Sequence, residues 1–362
     1  MIIKKEYFTS LTGIRAIAAY LVYLNHFFLH HPVFSTTAFD IFNELHIGVT
    51  IFFVLSGFLI CYQYFDYERI DFKGFIQKRF ARIYPMYFIL TTITFICFGI
   101  YKAQYSITYL KIYFLNITFL RGFFQDYIYS GIGQGWSLTV EEMFYILAPL
   151  FFILIKKKRI FLFIIPVVFI GLGLFLVYFF NEINQYGFKT FGLMKTNLFM
   201  LNLTFFGRIT EFFIGIGLAL LVRKYKDSFK TQYFTAIGTT VIIGCVYLLM
   251  LLKIGNGDGK DCYPGVLINN LILPLLGIAP LFWGLISEKT FLSKILSSRL
   301  FVLLGKSSYS FYLIHFGVFI TLLNKISANF LFEFVVLNLV SILLYLYVET
   351  PLNKKFRKSQ HF

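Results

Sequence analysis

The sequence predicts an all-α, polytopic membrane protein of about ten transmembrane helices with both termini in the cytoplasm. Three observations carry that expectation. Of 362 residues, 58% are hydrophobic and 14% charged, against about 25% charged in soluble domains, and the mean hydropathy is +0.75. Ten apolar stretches are each long enough to cross a hydrocarbon core of about 30 Å. Most of the 33 Lys and Arg fall in alternate connections between those stretches, as positive residues do on the cytoplasmic side of a membrane.

The ten stretches cover roughly 11–29, 47–65, 84–101, 137–155, 160–180, 205–222, 233–252, 266–286, 300–324 and 329–348. The first, LTGIRAIAAYLVYLNHFF, follows Lys4 and Lys5 like a signal peptide. No small-residue cleavage site follows it, where the chain reads FFLHHP, so it is expected to be a retained span. The connections before the third, fifth, seventh and ninth spans hold Arg69, Lys73, Lys78, Arg79 and Arg82; Lys156–Arg159; Arg223, Lys224, Lys226 and Lys230; and Lys289, Lys294 and Arg299. Lys354, Lys355, Arg357 and Lys358 follow the tenth. All of these are expected inside, and they explain most of the net charge of +16 without nucleic acid. Two outside loops are long, about 102–136 and 181–204, and long loops tend to be functional. Residues 1–362 read as one transmembrane domain. The cysteines (Cys61, Cys97, Cys245, Cys262) form no CxxC, so neither a metal site nor a disulfide framework is expected.

Polar residues inside the spans are costly in lipid and mark candidate sites. Arg15 and His26 lie eleven residues apart in the first span. That spacing returns to within about 20° of one helix face, roughly 16 Å further along the axis. The topology puts Arg15 near the inner end and His26 near the outer end. The fourth span opens as GWSLTVEEMFY, so Trp136, Ser137, Glu141 and Glu142 also lie near the outer end. A histidine backed by a carboxylate is a general-base arrangement. Adjacent carboxylates point about 100° apart, so one of Glu141 and Glu142 is expected to face His26. The bland reading of His26 is an interfacial histidine. Arg79 and Arg82, three residues apart, are neighbours if helical and suit a phosphate or diphosphate. Their bland reading is positive-inside charge. In LLGKSSYSFYLIHF, Lys306 closes an inside loop, Tyr309 lies on a polar Ser/Tyr face, and His315 is about two turns inside the ninth span, where a structural histidine is the competing reading. Arg208 and Glu211 are expected to form an (i, i+3) ion pair, and Ser56–Gly57 a close helix approach. Glu349 and Pro351 are expected to end the last span.

Six of these stretches together resemble the acyltransferase 3 family of ten-helix membrane acyltransferases, in the family's order and over about residues 8–352. Arg15 and His26 fit its Arg-x10-His motif. IFFVLSGFLI fits the span-two motif. Arg79, Arg82 and Pro85 fit Arg-x-x-Arg-x-x-Pro, and WSLTVEEMFY fits WSLxVEExFY. GKSSYSFYLIH and VETPL fit the last two motifs. The resemblance is to the stand-alone form, without a C-terminal SGNH domain. It implies transfer of an acyl group, acetyl by default, from acyl-CoA to a hydroxyl of a sugar in lipopolysaccharide, exopolysaccharide, peptidoglycan, Nod factors or macrolides. It also implies a multi-pass protein of the bacterial plasma membrane. Acyl-CoA is then a co-substrate, no cofactor or metal is bound, and the partners are donor, carbohydrate acceptor and membrane lipids, not nucleic acid. On this resemblance Arg79, Arg82 and Arg15 would hold the donor's phosphates. His26 would deprotonate the acceptor or carry the acyl group, oriented by Glu141 or Glu142. Trp136, Ser137, Tyr309 and His315 would support the site. The loop aromatics Tyr105, Tyr109, Tyr113, Phe123, Phe124, Tyr127 and Tyr129 suit sugar stacking or an interfacial belt. The alternatives are a transporter or flippase of a lipid-linked sugar and a structural subunit of a glycan-assembly complex.

Overall fold

The computed structural model describes residues 6–30, 36–67, 70–102, 106–225, 233–253 and 257–358. Lys4, Lys5, Arg69, Tyr105, Lys226 and Lys230 lie outside them. Among the described residues there are helices and no strands. That follows from an apolar solvent, because only a helix satisfies its backbone within one segment of chain.

The first helices are α1 (Thr9–His30), α2 (Thr36–Asn43), α3 (Gly48–Tyr64), α4 (Phe72–Lys102) and α5 (Ile107–Ile117). Next come α6 (Trp136–Lys157), α7 (Phe161–Gln185), α8 (Asn197–Leu203), α9 (Phe205–Tyr225) and α10 (Phe234–Leu252). The helix α11 (Tyr263–Leu267) runs through a π-helical stretch, Ile268–Ile278, into α12 (Ala279–Ser287). The remainder are α13 (Phe291–Leu296), α14 (Arg299–Ile314), α15 (Val318–Asn324), α16 (Phe330–Leu344) and α17 (Thr350–Lys358).

Among the described residues, eight helical segments are long and apolar enough to cross a membrane. They coincide with eight of the ten expected spans. The other two are helical but differ. The expected first span is α1, whose apolar run is diluted by Arg15, Asn25 and His26. The expected ninth span is broken into α14 and α15 at His315–Gly317, where Gly317 takes φ 83°.

Three other expectations are corrected. The basic run before the third span is not a loop: α4 begins at Phe72 and is 31 residues long, about 46 Å, because Lys and Arg are good helix formers that a search for apolarity passes over. Loop 102–136 is largely structured, holding α5 and tight turns at 120–123, 125–127 and 133–135. Pro351 does not end the last helix. A π-helical turn, Tyr345–Glu349, leads into α17, so Pro351 lies inside one continuous helix, Phe330–Arg357.

The chain forms two compact units. Unit 1 comprises residues 1–68, 150–170 and 206–306; unit 2 comprises 69–149, 171–205 and 307–362. In unit 1, α3 meets α9 through Gly57 and Gly215. A Cβ on Gly57 would lie 2.1 Å from the Phe212 carbonyl oxygen, and one on Gly215 would lie 2.1 Å from that of Val54. The expected close approach at Gly57 is thus present. Buried Arg208 and Glu211 pair at 2.8 Å, as expected. In unit 2, α17 packs on the basic start of α4, where the Gln77 side chain donates to the Phe356 carbonyl at 2.9 Å.

Links between connecting segments follow the sides read from charge. In unit 1, Thr9 bonds Ser297 at 3.0 Å and Arg223 pairs with Asp66, all in segments read as inside. Lys253 pairs with Asp40, and the Gly259 N–H donates to Glu44 at 2.7 Å, all in segments read as outside. In unit 2, Lys195 pairs with Asp126 at 3.0 Å, joining the two long loops read as outside.

Candidate active site

In unit 1, α1 carries both Arg15 and His26 half-buried. Its two ends are tied to neighbouring elements. Near its N-terminal end the Ser10 hydroxyl donates to the Leu285 carbonyl at 2.9 Å. Near its C-terminal end the Asn25 amide donates to the carbonyls of Asn43 at 2.6 Å and Phe42 at 3.3 Å. Those are terminal carbonyls of α2, which have no partner within their own helix. The residue before His26 is therefore pinned.

In unit 2, α6 begins where the motif predicts, at Trp136, which is half-buried. One turn of helix separates Glu141 from Tyr145, and the phenol donates to the Glu141 carboxylate at 2.9 Å. Side chains at (i, i+4) share a face, so the sequence contained this pair, but the motif alone gave Tyr145 no role. On α4, the Arg79 guanidinium lies 5.9 Å from the ring of Phe75 and 5.9 Å from that of Tyr145, a distance at which a cation is attracted to an aromatic face. Glu141, Tyr145 and Arg79 thus form one line across two helices. The charge pattern is expected to place Arg79 at the cytoplasmic end, and the Tyr145 ring it reaches belongs to the tenth residue of the 22-residue α6. Rings on both helices let the long side chain lie within protein rather than lipid. Arg82, one turn further along α4, is half-buried.

Glu142 behaves differently from Glu141. Its Oε1 is buried with no hydrogen-bond partner among the described residues. A carboxylate oxygen in that condition is suited to a partner that arrives from elsewhere. The expected pairing of His26 with Glu141 or Glu142 involves groups from the two different units.

The supporting residues form a knot of hydrogen bonds. The hydroxyls of Ser137 and Tyr312 are 2.9 Å apart, and Tyr312 also donates to the Gln134 carbonyl at 3.0 Å. The Gln134 amide donates back to the carbonyls of Tyr312 and Leu313 at 2.8 and 3.0 Å. The start of α6 is so joined to the end of α14. His315 is buried beside this knot, stacked on Phe311 with ring centroids 6.0 Å apart. Tyr309 donates to the Ile83 carbonyl of α4 at 2.8 Å, and Ser310 donates to Glu349 at 3.0 Å. Ser137, Tyr309 and His315 therefore sit in a frame that holds α4, α6 and α14 together.

Two residues of this frame were not visible in the sequence. Gln134 sits in a run that reads as a flexible glycine loop, but its two bonds need α14 beside it. Arg121 reads as one of a few outside basic residues. It is fully buried and donates to the carbonyls of Ser130 and Ile132, gathering the backbone just ahead of the 133–135 turn. A lone Arg in a loop carries no signal of that role.

Comparison with known proteins gives the family. A Staphylococcus aureus (strain COL) protein named "Putative O-acetyltransferase" is 27% identical over 338 residues, which is 87% of this chain and 51% of that protein. O-acetyltransferase OatA of S. aureus (strain NCTC 8325 / PS 47) is 24% identical over 346 residues, 87% of this chain and 54% of that protein. The chain spans about half the length of these curated relatives. No solved structure matches it. The acyltransferase domain of the acyltransferase 3 family matches residues 8–349, and with nearly its whole length inside that match the chain belongs to this family.

Proposed function

We propose that the protein is a membrane O-acyltransferase that moves an acyl group, acetyl by default, from acyl-CoA to a hydroxyl of a carbohydrate at the bacterial plasma membrane. The match of residues 8–349 to an acyltransferase domain carries this reading; the O-acetyltransferase names of the relatives support acetyl as the group. Arg79 and Arg82, one turn apart on α4, hold the anionic phosphates of the donor, with Arg15 as a further cation. His26 takes the proton of the acceptor hydroxyl. The oxygen attacks the thioester carbonyl, the C–S bond breaks, and the departing thiolate receives the proton from the imidazolium. Donor and acceptor become CoA thiol and ester, with no net change in protons. A carboxylate stabilises the protonated imidazole in this scheme. Glu142, with its unpartnered oxygen, suits that role better than Glu141, which is engaged by Tyr145.

The test is thiol release from acetyl-CoA by purified protein in detergent, with a membrane glycan fraction as acceptor. His26→Ala should lower turnover by at least about 100-fold, the lower range for a general base, while the protein still inserts and purifies as a folded species. Arg79→Ala should raise the apparent KM for acetyl-CoA by roughly 10–100-fold, the loss of one charge-assisted hydrogen bond of about 1.5–3 kcal/mol. Unchanged turnover in His26→Ala removes the base assignment. An Arg79→Ala effect confined to acceptor affinity removes the donor site.

A further inference from the structure

Between α4 and α5, both in unit 2, lies a groove of about 460 Å³, within the usual range of ligand sites. We propose that it binds a single long hydrocarbon chain, the membrane anchor of the acceptor. The word acceptor rests on the acyltransferase reading, whereas the chain site does not.

The chemistry of the lining selects the ligand. Phe95, Ile96, Ile100 and Leu110 supply apolar walls. The three hydroxyls in the groove have their protons committed inside the protein. Thr92 donates to the Phe88 carbonyl at 2.7 Å. Its oxygen, 3.0 Å from the Tyr113 hydroxyl, therefore accepts from Tyr113. Tyr109 donates to the Phe95 carbonyl at 2.7 Å. A sugar or a phosphate placed here would lose its hydration and gain few partners, which is costly. A hydrocarbon chain loses nothing.

The surroundings say what covers the mouth. Thr92–Ile100 belong to the membrane-crossing part of α4. The helix α5 has 11 residues, about 16 Å, too short to cross a bilayer, and it exposes Ile107, Leu110 and Phe114 by 72, 62 and 59%. Such a face marks a surface that meets a membrane or a partner, and beside the membrane-crossing part of α4 it fits lipid.

The wall formed by Phe95 bears on which lipid this is. Phe95 packs on Gly131, where a Cβ would lie 2.7 Å from the ring and where φ is +63°. Gly131 stands two residues before the 133–135 turn that opens α6 at Trp136. One wall of the groove thus adjoins the segment that leads into Trp136, Glu141 and Glu142. Lys111, exposed on α5, offers a cation to a phosphate in the head group.

Photolabelling tests the proposal. The full-length protein in phosphatidylglycerol nanodiscs is irradiated with a hexadecyl phosphate carrying a diazirine on its chain. Labelled peptides from the 92–100 and 109–114 segments should exceed those from the lipid-facing residues of α7 and α16. Gly99→Leu, which fills the groove floor, should abolish that excess and leave α7 and α16 labelled as before. Ile100→Trp at the mouth, where the native residue is 68% exposed, should do the same and guards against misfolding of the first variant. Labelling in proportion to exposed area, or labelling unchanged by both variants, overturns the chain site. In membranes supplied with radiolabelled acetyl-CoA, both variants should transfer at least about 10-fold less into solvent-extractable lipid, with the donor KM of the residual transfer unchanged. Unchanged transfer, or none into lipid by the native protein, overturns the anchor assignment. Absence of any CoA thiol release by the native protein would instead remove the acyltransferase reading, with the labelling result untouched.

Discussion

Arg208 and Glu211 show how a single pair of residues behaves when the solvent is hydrocarbon. Their (i, i+3) spacing predicts an ion pair, and the Nε–Oε2 distance is 2.8 Å with both side chains almost fully buried. The pair alone does not satisfy a guanidinium. Its remaining donors reach Thr50 and Asn270, each at 2.9 Å, and the ring of Phe53 lies 5.3 Å from it. Asn270 also accepts from Asn269 at 2.8 Å, within the π-helical stretch, where helix irregularity brings both amides to the cluster. Removing one partner of such a pair leaves a buried charge uncompensated, at about 3–5 kcal/mol, whereas replacing both by apolar groups is often close to neutral. Glu211→Gln should therefore lower the unfolding midpoint in detergent sharply, and Arg208→Met/Glu211→Leu should recover most of the loss. A double variant as unstable as the single one would show that the pair is not simply self-compensating.

At the scale of elements, glycine placement decides which helices touch. On α9, Gly215 and Gly217 look alike in the sequence. A Cβ at Gly215 would meet the Val54 carbonyl oxygen at 2.1 Å, while at Gly217 nothing lies within 4 Å. Gly215→Ala must push α3 from α9 and should destabilise by about 1–3 kcal/mol, the range for overpacking. Gly217→Ala should be neutral or stabilise by up to about 1 kcal/mol through helix propensity. Thermal unfolding and size-exclusion profiles of the two variants check this; equal behaviour would mean that the backbones are not in contact. The helix α4 makes a complementary point. Its apolar half was evident, but its basic first turns were not, because Lys and Arg form helix well without the apolar signal that marks a span, and which partner covers them, α17, is a tertiary matter.

For the whole molecule, charge and hydropathy predict ten crossings in alternation; among the described residues eight helical segments are long and apolar enough to cross, and contacts within each unit agree with the alternation. The absolute orientation follows from the basic clusters and is open to measurement. A membrane-impermeant maleimide applied to intact cells should label Lys189→Cys, in an outside loop, and not Lys355→Cys; labelling requires replacing the native Cys61, Cys97, Cys245 and Cys262 first. The reverse pattern would invert the topology and move Arg79 to the wrong side for a cytosolic donor.

By itself the sequence determined the helical class, the order of the spans and the family, because burial in lipid and the placement of positive charge act on local composition. It also determined Arg15, His26, Arg79, Arg82, Glu141 and Glu142 as candidates, because polar groups in an apolar span stand out. Only the tertiary structure decided that Tyr145 links Glu141 to the ring contacts of Arg79. The same holds for the burial of Arg121 to shape a turn, for Gln134 and Ser137 binding α6 to α14, and for the lipid-sized groove between α4 and α5. These depend on partners far apart in the chain, and composition does not record which helix faces which.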